Sequence, residues 1–213
     1  MSPFAEPIPL SPEGQVEELL AACPAVALPA GTRRIASQLP DTILFAIEDG
    51  IVVVTAQVEG ASRRSVVATG REGSLLPPPG PGEAFEAVTD ARLRAISAAA
   101  WDELLASPAA AAVIAEGLLA ELRERQESLR HFANVRHVER VREKLLQLAR
   151  VHGRVVSGGV RLDLPLTHEL LAEMIGSRRE TVTFALADLQ KGGFVTREGR
   201  TYVLRISPAE LSP

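Results

Sequence analysis

The chain has 213 residues, 46% of them hydrophobic and 23% charged, the balance of an ordinary folded protein. It holds no uninterrupted apolar run long enough to cross a membrane, and its single cysteine, Cys23, excludes an internal disulfide or a cysteine-ligated zinc or iron–sulfur site within one chain. The net charge of −4 is unevenly spread: residues 1–134 carry 10 Lys/Arg against 18 Asp/Glu, and residues 135–213 carry 13 against 9.

A mildly basic C-terminal part on an acidic N-terminal part suits a nucleic-acid-binding domain carried by a separate one. The first residues lack the basic stretch and apolar core of a secretory signal, so a cytoplasmic location is expected.

Residues 1–12 are proline-rich, and Glu13 to Ala22 can form a short helix with Val16, Leu19 and Leu20 on one side. From residue 25 to 97, short apolar runs are broken by Gly, Pro and Asp. Asp49-Gly50 between 42–47 and 51–55 is a hairpin signal. Further runs at 65–68, 85–88 and 93–96 predict a β-sandwich or β-roll.

Helices are expected from Ala98 onward. Ser107-Pro108 is a helix start, and no further proline interrupts the chain before Phe132. Such a helix is roughly 37 Å long, more than a small domain needs. Ile114, Leu118, Leu122, Leu129 and Phe132 form its apolar stripe, flanked by charge. That pattern reads either as a dimer seam or as a helix packed only on its own β-domain. Asn134 can cap a second helix from Val135 to Val151, and Ser157-Gly158-Gly159 marks a second hairpin.

The informative stretch is 166–204. Thr167 can cap a short helix that Gly176 closes, and Ser177 can cap a second helix from Arg178 to Gln190. Val182, Ala185, Leu186 and Leu189 form the inner stripe of that second helix. Its first two turns present Arg178, Arg179, Glu180, Thr181 and Thr183. These residue types suit a helix entering a major groove end-on, because arginine pairs bidentately with guanine and a carboxylate accepts from cytosine. Two short strands around Arg197-Glu198-Gly199-Arg200 then read as a β-wing with a basic tip.

Residues 136–206 resemble the DNA-binding domain of the Crp/Fnr transcription regulators. The resemblance rests on Glu139-Arg140-Val141 through Leu148-Ala149, on Leu166-Thr167, and on Ile175 to Val182 with its Arg-Glu-Thr-Val core. It extends through Leu189 to Gly193 and Gly199-Arg200-Thr201. It implies an α+β protein with three parts. These are a β-roll of the cyclic-nucleotide-binding type over 14–97, a dimerisation helix region over 98–134 and a winged helix-turn-helix over 135–213. It implies base contacts from Arg179 and Glu180 and phosphate contacts from Thr167, Thr181 and Arg200. Arg178, Thr183 and Phe184 are further candidates for base contact by their place on the helix, and Ser177 is a further candidate for phosphate. The expected partners are double-stranded DNA, a second copy of the chain and RNA polymerase, with no membrane.

Two departures qualify the resemblance. Phe184 stands where well-known members have an arginine. It could touch a thymine methyl or belong to the core, and helical spacing leaves both readings open. The stretch 70–82, Gly-Arg-Glu-Gly-Ser-Leu-Leu-Pro-Pro-Pro-Gly-Pro-Gly, is short, and no arginine falls at the family's phosphate position. Control by cAMP in the usual manner is therefore not expected, with Arg71 the one candidate substitute.

No cofactor is expected, although Cys23-Pro24 resembles a thiolate haem motif, and a nucleotide effector stays open. His131, His137, His152 and His168 form no i,i+4 metal pair, and no signature of an enzyme is present. Two alternatives remain: a constitutive DNA-binding regulator with a ligand-free scaffold domain, and an adaptor whose helix-turn-helix no longer binds DNA.

Overall fold

The computed structural model describes residues 12–57, 64–132, 136–199 and 201–211. Helix α1 (Pro12–Ala22) leads into eight strands: β1 (Ala25–Leu28), β2 (Arg33–Arg34), β3 (Leu44–Asp49), β4 (Val52–Gln57), β5 (Arg64–Gly70), β6 (Leu75–Leu76), β7 (Glu83–Ala87) and β8 (Ala91–Ile96). They form two antiparallel four-stranded sheets, ordered β1-β8-β3-β6 and β2-β7-β4-β5. Phe45 and Phe85, both fully buried, meet edge-to-face between the sheets with centroids 5.4 Å apart, the arrangement the ring quadrupoles favour.

The β-roll agrees with the expectation, but the Asp49-Gly50 hairpin does not. β3 pairs with β8 and β6, whereas β4 pairs with β5 and β7. The turn therefore carries the chain from one sheet to the other. The Thr89-Asp90 turn between β7 and β8 crosses in the same way and lies against it. Val88 N–H donates to the Ile51 carbonyl at 2.8 Å, and Ile51 N–H donates to Thr89 Oγ1 at 2.9 Å. Gly50 has φ +86°, and a Cβ there would collide with the Asp90 carbonyl. Glycine is needed because two backbones touch at a left-handed residue, a demand that looks in sequence like a hairpin turn.

Helix α2 (Ala98–Ala106) starts at Ser97, whose hydroxyl accepts from Ala100 N–H. Helix α3 (Pro108–Phe132) starts after Ser107, whose hydroxyl accepts from Ala110 N–H at 3.3 Å, in agreement with the Ser-Pro signal. No single helix among the described residues is long and apolar enough to cross a membrane. α2 and the first half of α3 reach that composition only together, across a 113° bend.

The apolar stripe of α3 divides. Ile114 is buried with Val16, Cys23, Leu44, Ile96 and Leu104, so it is committed to the chain's own core rather than to the outer seam. The reason is the short helix α1, which packs along the start of α3. Further along, Leu118, Leu119 and Leu122 stand 38%, 50% and 52% exposed. The side chains of Leu129 and Phe132 lie outside the described residues.

The C-terminal part comprises α4 (His137–His152), β9 (Gly153–Val156), β10 (Gly159–Leu162), α5 (His168–Met174), α6 (Arg179–Lys191), β11 (Val195–Glu198) and β12 (Thr201–Leu204). Its sheet order is β11-β12-β10-β9, so the expected hairpin at Ser157-Gly158 forms. Asn134, expected to cap α4, lies outside the described residues. Val141, Leu145 and Leu148 of α4 pack with Leu171, Val182, Leu186 and Tyr202 in one core.

That core does not stop at the β-roll. Ile51 and Val53 of the β4 region belong to it, and α5 lies against β5. Beside this seam Arg64 of β5 forms ion pairs with Glu173 of α5 at 3.0 Å and with Glu86 of β7 at 3.1 Å.

Candidate nucleic-acid interface

Thr167 is the N-cap of α5. Its hydroxyl accepts from Leu170 N–H at 3.0 Å, as the sequence predicts. Gly176 has φ +61°, the left-handed residue that lets the chain turn sharply between helices. Ser177 N–H donates back to the Ala172 carbonyl at 2.9 Å and closes the turn.

The second helix begins one residue later than predicted. Arg178, extended at φ −101° and ψ 149°, is the N-cap of α6, with no side-chain capping bond. Ser177 is therefore not the cap. It is buried, and its hydroxyl lies 3.4 Å from His137 Nδ1 on α4. Its side chain ties the turn to α4.

Val182, Ala185, Leu186 and Leu189 fill the inner face of α6, which fixes the outer face by helical spacing. Glu180 is exposed there, and Arg178 and Arg179 are exposed at the N-terminal end of the helix. Phe184 is 72% exposed on the same helix, one turn beyond Glu180. Of its two readings, core residue and surface residue, the structure favours the second. Thr181 is half-buried. Thr183 is exposed, but its hydroxyl donates to the Arg179 carbonyl and also lies 2.9 Å from His168 Nδ1. Its methyl group is what remains to face outward.

The wing follows. Arg197 Nε–H donates to the Gly199 carbonyl at 3.1 Å, and the guanidinium sits 6.0 Å from the Tyr202 ring centroid. Arg200 lies outside the described residues. A surface cleft runs between the start of α5, the start of α6 and the wing, lined by Thr167, His168, Glu169, Arg179 and Arg197. Two arginines and a helix N-terminus in one concave strip make it suited to an anion such as a phosphodiester.

In sequence His168 reads only as a structural histidine. The structure puts it in the lining of this cleft, with Nε2 3.0 Å from the Tyr202 hydroxyl. Burial, then the charges of Arg197 and Arg179, push its pKa down, and burial pushes Tyr202 up. Its partners are 15 and 34 residues away, so no local signal marks the connection.

The stretch 70–82 is also informative. Gly70 ends β5 where a Cβ would collide with Ile47 and Leu76, so this glycine serves sheet packing. Arg71 lines a small cleft with Lys144 and His152 of α4. His152 has its pKa lowered by burial, then by the charges of Arg71 and Lys144. Cys23 is buried, with Sγ 3.5 Å from the Leu19 carbonyl, and burial pushes its thiol pKa up. Among the described residues, no group of three or more His, Cys, Asp or Glu is placed to hold a metal ion.

Residues 139–212 match the family model of the Crp-like helix-turn-helix domain. A CRP-like cAMP-activated global transcriptional regulator from Mycobacterium tuberculosis is 40% identical over 65 residues, 30% of this chain. The chain thus matches 29% of that relative's length. Among solved structures, a CooA mutant from Carboxydothermus hydrogenoformans superposes with a TM-score of 0.74 at 20% identity, covering 91% of this chain and 88% of that one. A CRP-family transcriptional regulator from Thermus thermophilus gives 0.69 at 21% identity, covering 87% and 94%. At such identities the structural likeness speaks for the fold.

Proposed function

We propose that the chain, whose residues 139–212 match the Crp-like helix-turn-helix domain, is a Crp/Fnr-type regulator that binds DNA sequence-specifically and works as a homodimer. The observation that carries this reading is the outer face of α6. Arg178 at the N-cap and Arg179, Glu180 and Phe184 on the helix are exposed, while its inner stripe is buried. In this role Arg179 pairs with a guanine, Glu180 accepts from a cytosine amino group, and Phe184 lies against a thymine methyl. Thr167 at its helix N-terminus, Thr181 and Arg200 take the phosphates that set the register.

Dimerisation is supported by the exposed leucines of α3, which a second copy would cover along a helical seam. Two recognition helices would then enter successive major grooves about 34 Å apart on a near-palindromic site. RNA polymerase is the further partner that such a protein would meet at a promoter, and the cytoplasm is where it would act. The role is regulatory rather than enzymatic.

The reading needs no cofactor. The buried, raised thiol of Cys23 disfavours the thiolate that haem ligation requires. Residues 72–91 hold no arginine for a cyclic phosphodiester, and Arg71 faces α4. Control by cAMP in the usual way is therefore not proposed.

The test is selection of sites from a random DNA library by the purified, unliganded protein. Enrichment of a two-fold symmetric site supports a dimeric regulator that needs no effector. No enrichment, with affinity near about 10⁻⁴ M on every sequence, favours the adaptor reading.

A further inference from the structure

His168 stands where three elements of the reading domain meet. It is the first residue of α5, its Nδ1 lies 2.9 Å from Thr183 Oγ1 on α6, and its Nε2 lies 3.0 Å from the Tyr202 hydroxyl on β12. The proton positions follow from the bonding pattern. Thr183 has one hydroxyl hydrogen, which it donates to the Arg179 carbonyl at 2.9 Å. Toward His168 its oxygen can only accept, so Nδ1 carries the hydrogen. In the neutral ring Nε2 is then bare and accepts from the Tyr202 O–H.

We infer that His168 is a positioning residue that locks the recognition helix to the wing in its neutral form and takes up a proton when a DNA phosphate enters the adjoining cleft. The inference rests on the DNA-binding reading above. The charged groups that line the cleft with the ring are Arg179 from α6, Arg197 from β11 and Glu169 from α5 itself, and Tyr202 from β12 bonds to it. Burial first, and then the two arginines, oppose a positive charge on the ring while the cleft is empty, which lowers its pKa. A phosphodiester oxygen supplies the missing negative charge.

The proton comes from solvent and binds Nε2. The Tyr202 hydroxyl then turns and accepts from the new N–H, while the Nδ1–H bond to Thr183 is unchanged. Since the bound form holds more protons than the free form, affinity rises as pH falls. The limit is about tenfold per pH unit for each half-site.

Two measurements test this. In the free protein, the imidazole resonances of His168 are titrated by NMR in the wild type and in Tyr202→Phe. The expected result is a single Nδ1–H tautomer titrating below an ordinary histidine, about 6.5. Tyr202→Phe removes the donor that favours the neutral ring, so it should raise that pKa. A ring that titrates like a solvent-exposed histidine and ignores Tyr202→Phe overturns the lock.

The second measurement is affinity for the selected site between pH 6 and 8, for wild type and His168→Gln. Wild type should tighten toward low pH with the steeper slope, and His168→Gln should lose that difference. Equal slopes overturn the proton uptake. Absence of specific DNA binding at every pH overturns the DNA-binding reading, and with it the proton uptake, while the resonances still decide the lock.

Discussion

Arg64 of β5 and Glu173 of α5 join the β-roll to the first helix of the helix-turn-helix through an ion pair of 3.0 Å, with the Glu173 side chain only 8% exposed. Glu86 of β7 shares the same guanidinium. Burial raises the Glu173 pKa, and the charge of Arg64 pulls it back. A raised carboxyl pKa means that the folded state binds more protons than the unfolded state, so this group's contribution to stability declines as pH rises through its range.

Arg64→Ala should therefore destabilise the protein by about 2–3 kcal/mol at pH 7, where it leaves a buried carboxylate without its partner, and by less at pH 5. Glu173→Gln keeps an acceptor for Arg64 and should cost about 1 kcal/mol with little pH dependence. Urea unfolding at the two pH values measures both. An Arg64→Ala penalty that is equal at pH 5 and pH 7 would show that Arg64 does not influence a titration of Glu173 in that range.

Arg179→Ala should weaken binding to the selected site by about 1–3 kcal/mol and relax one base position, because a bidentate arginine discriminates among bases. Competition against random DNA checks the assignment. Equal losses on both would mean that Arg179 meets phosphate rather than base.

Phe184→Ala should change stability by no more than about 0.5 kcal/mol, because the ring is 72% exposed. Its effect should appear in the DNA. Replacing thymine by uracil at one position of the site should weaken the wild type and leave Phe184→Ala unaffected. A large loss of thermal stability in the variant would instead place the ring at a packed interface.

Leu118→Glu combined with Leu122→Glu should give a folded monomer, since both side chains are exposed in the single chain. Ile114→Glu should instead unfold the protein, because Ile114 is buried among the core residues of the N-terminal part. Sedimentation velocity and circular dichroism separate the two results. A dimer that survives the double change would move the subunit contact away from these leucines.

Gly50→Ala tests the crossing between the sheets. A left-handed non-glycine residue costs about 1–2 kcal/mol, and the collision with the Asp90 carbonyl adds to that. Thermal unfolding should show a loss well beyond that of a typical turn substitution. A neutral result would mean that the two turns are not in contact.

The amino-acid sequence by itself determined the features whose physics is local. Thr167 and Ser107 cap helices because their hydroxyls reach N–H groups three residues on. Gly176 turns between α5 and α6 because only a residue without Cβ enters the left-handed region cheaply. The inner stripe of α6 follows from helical spacing alone. The tertiary structure decided whatever depends on distant partners. Gly50 joins two sheets because the Thr89-Asp90 turn packs on it, and Ile114 turns inward because α1 covers it. Ser177 points at His137, 40 residues away, which leaves the capping position to Arg178. Helical spacing leaves Phe184 open between core and surface, and only the packed structure shows its ring 72% exposed. His168 acquires its role in the same way, from Thr183 and Tyr202, since its immediate neighbours in sequence supply neither hydrogen bond.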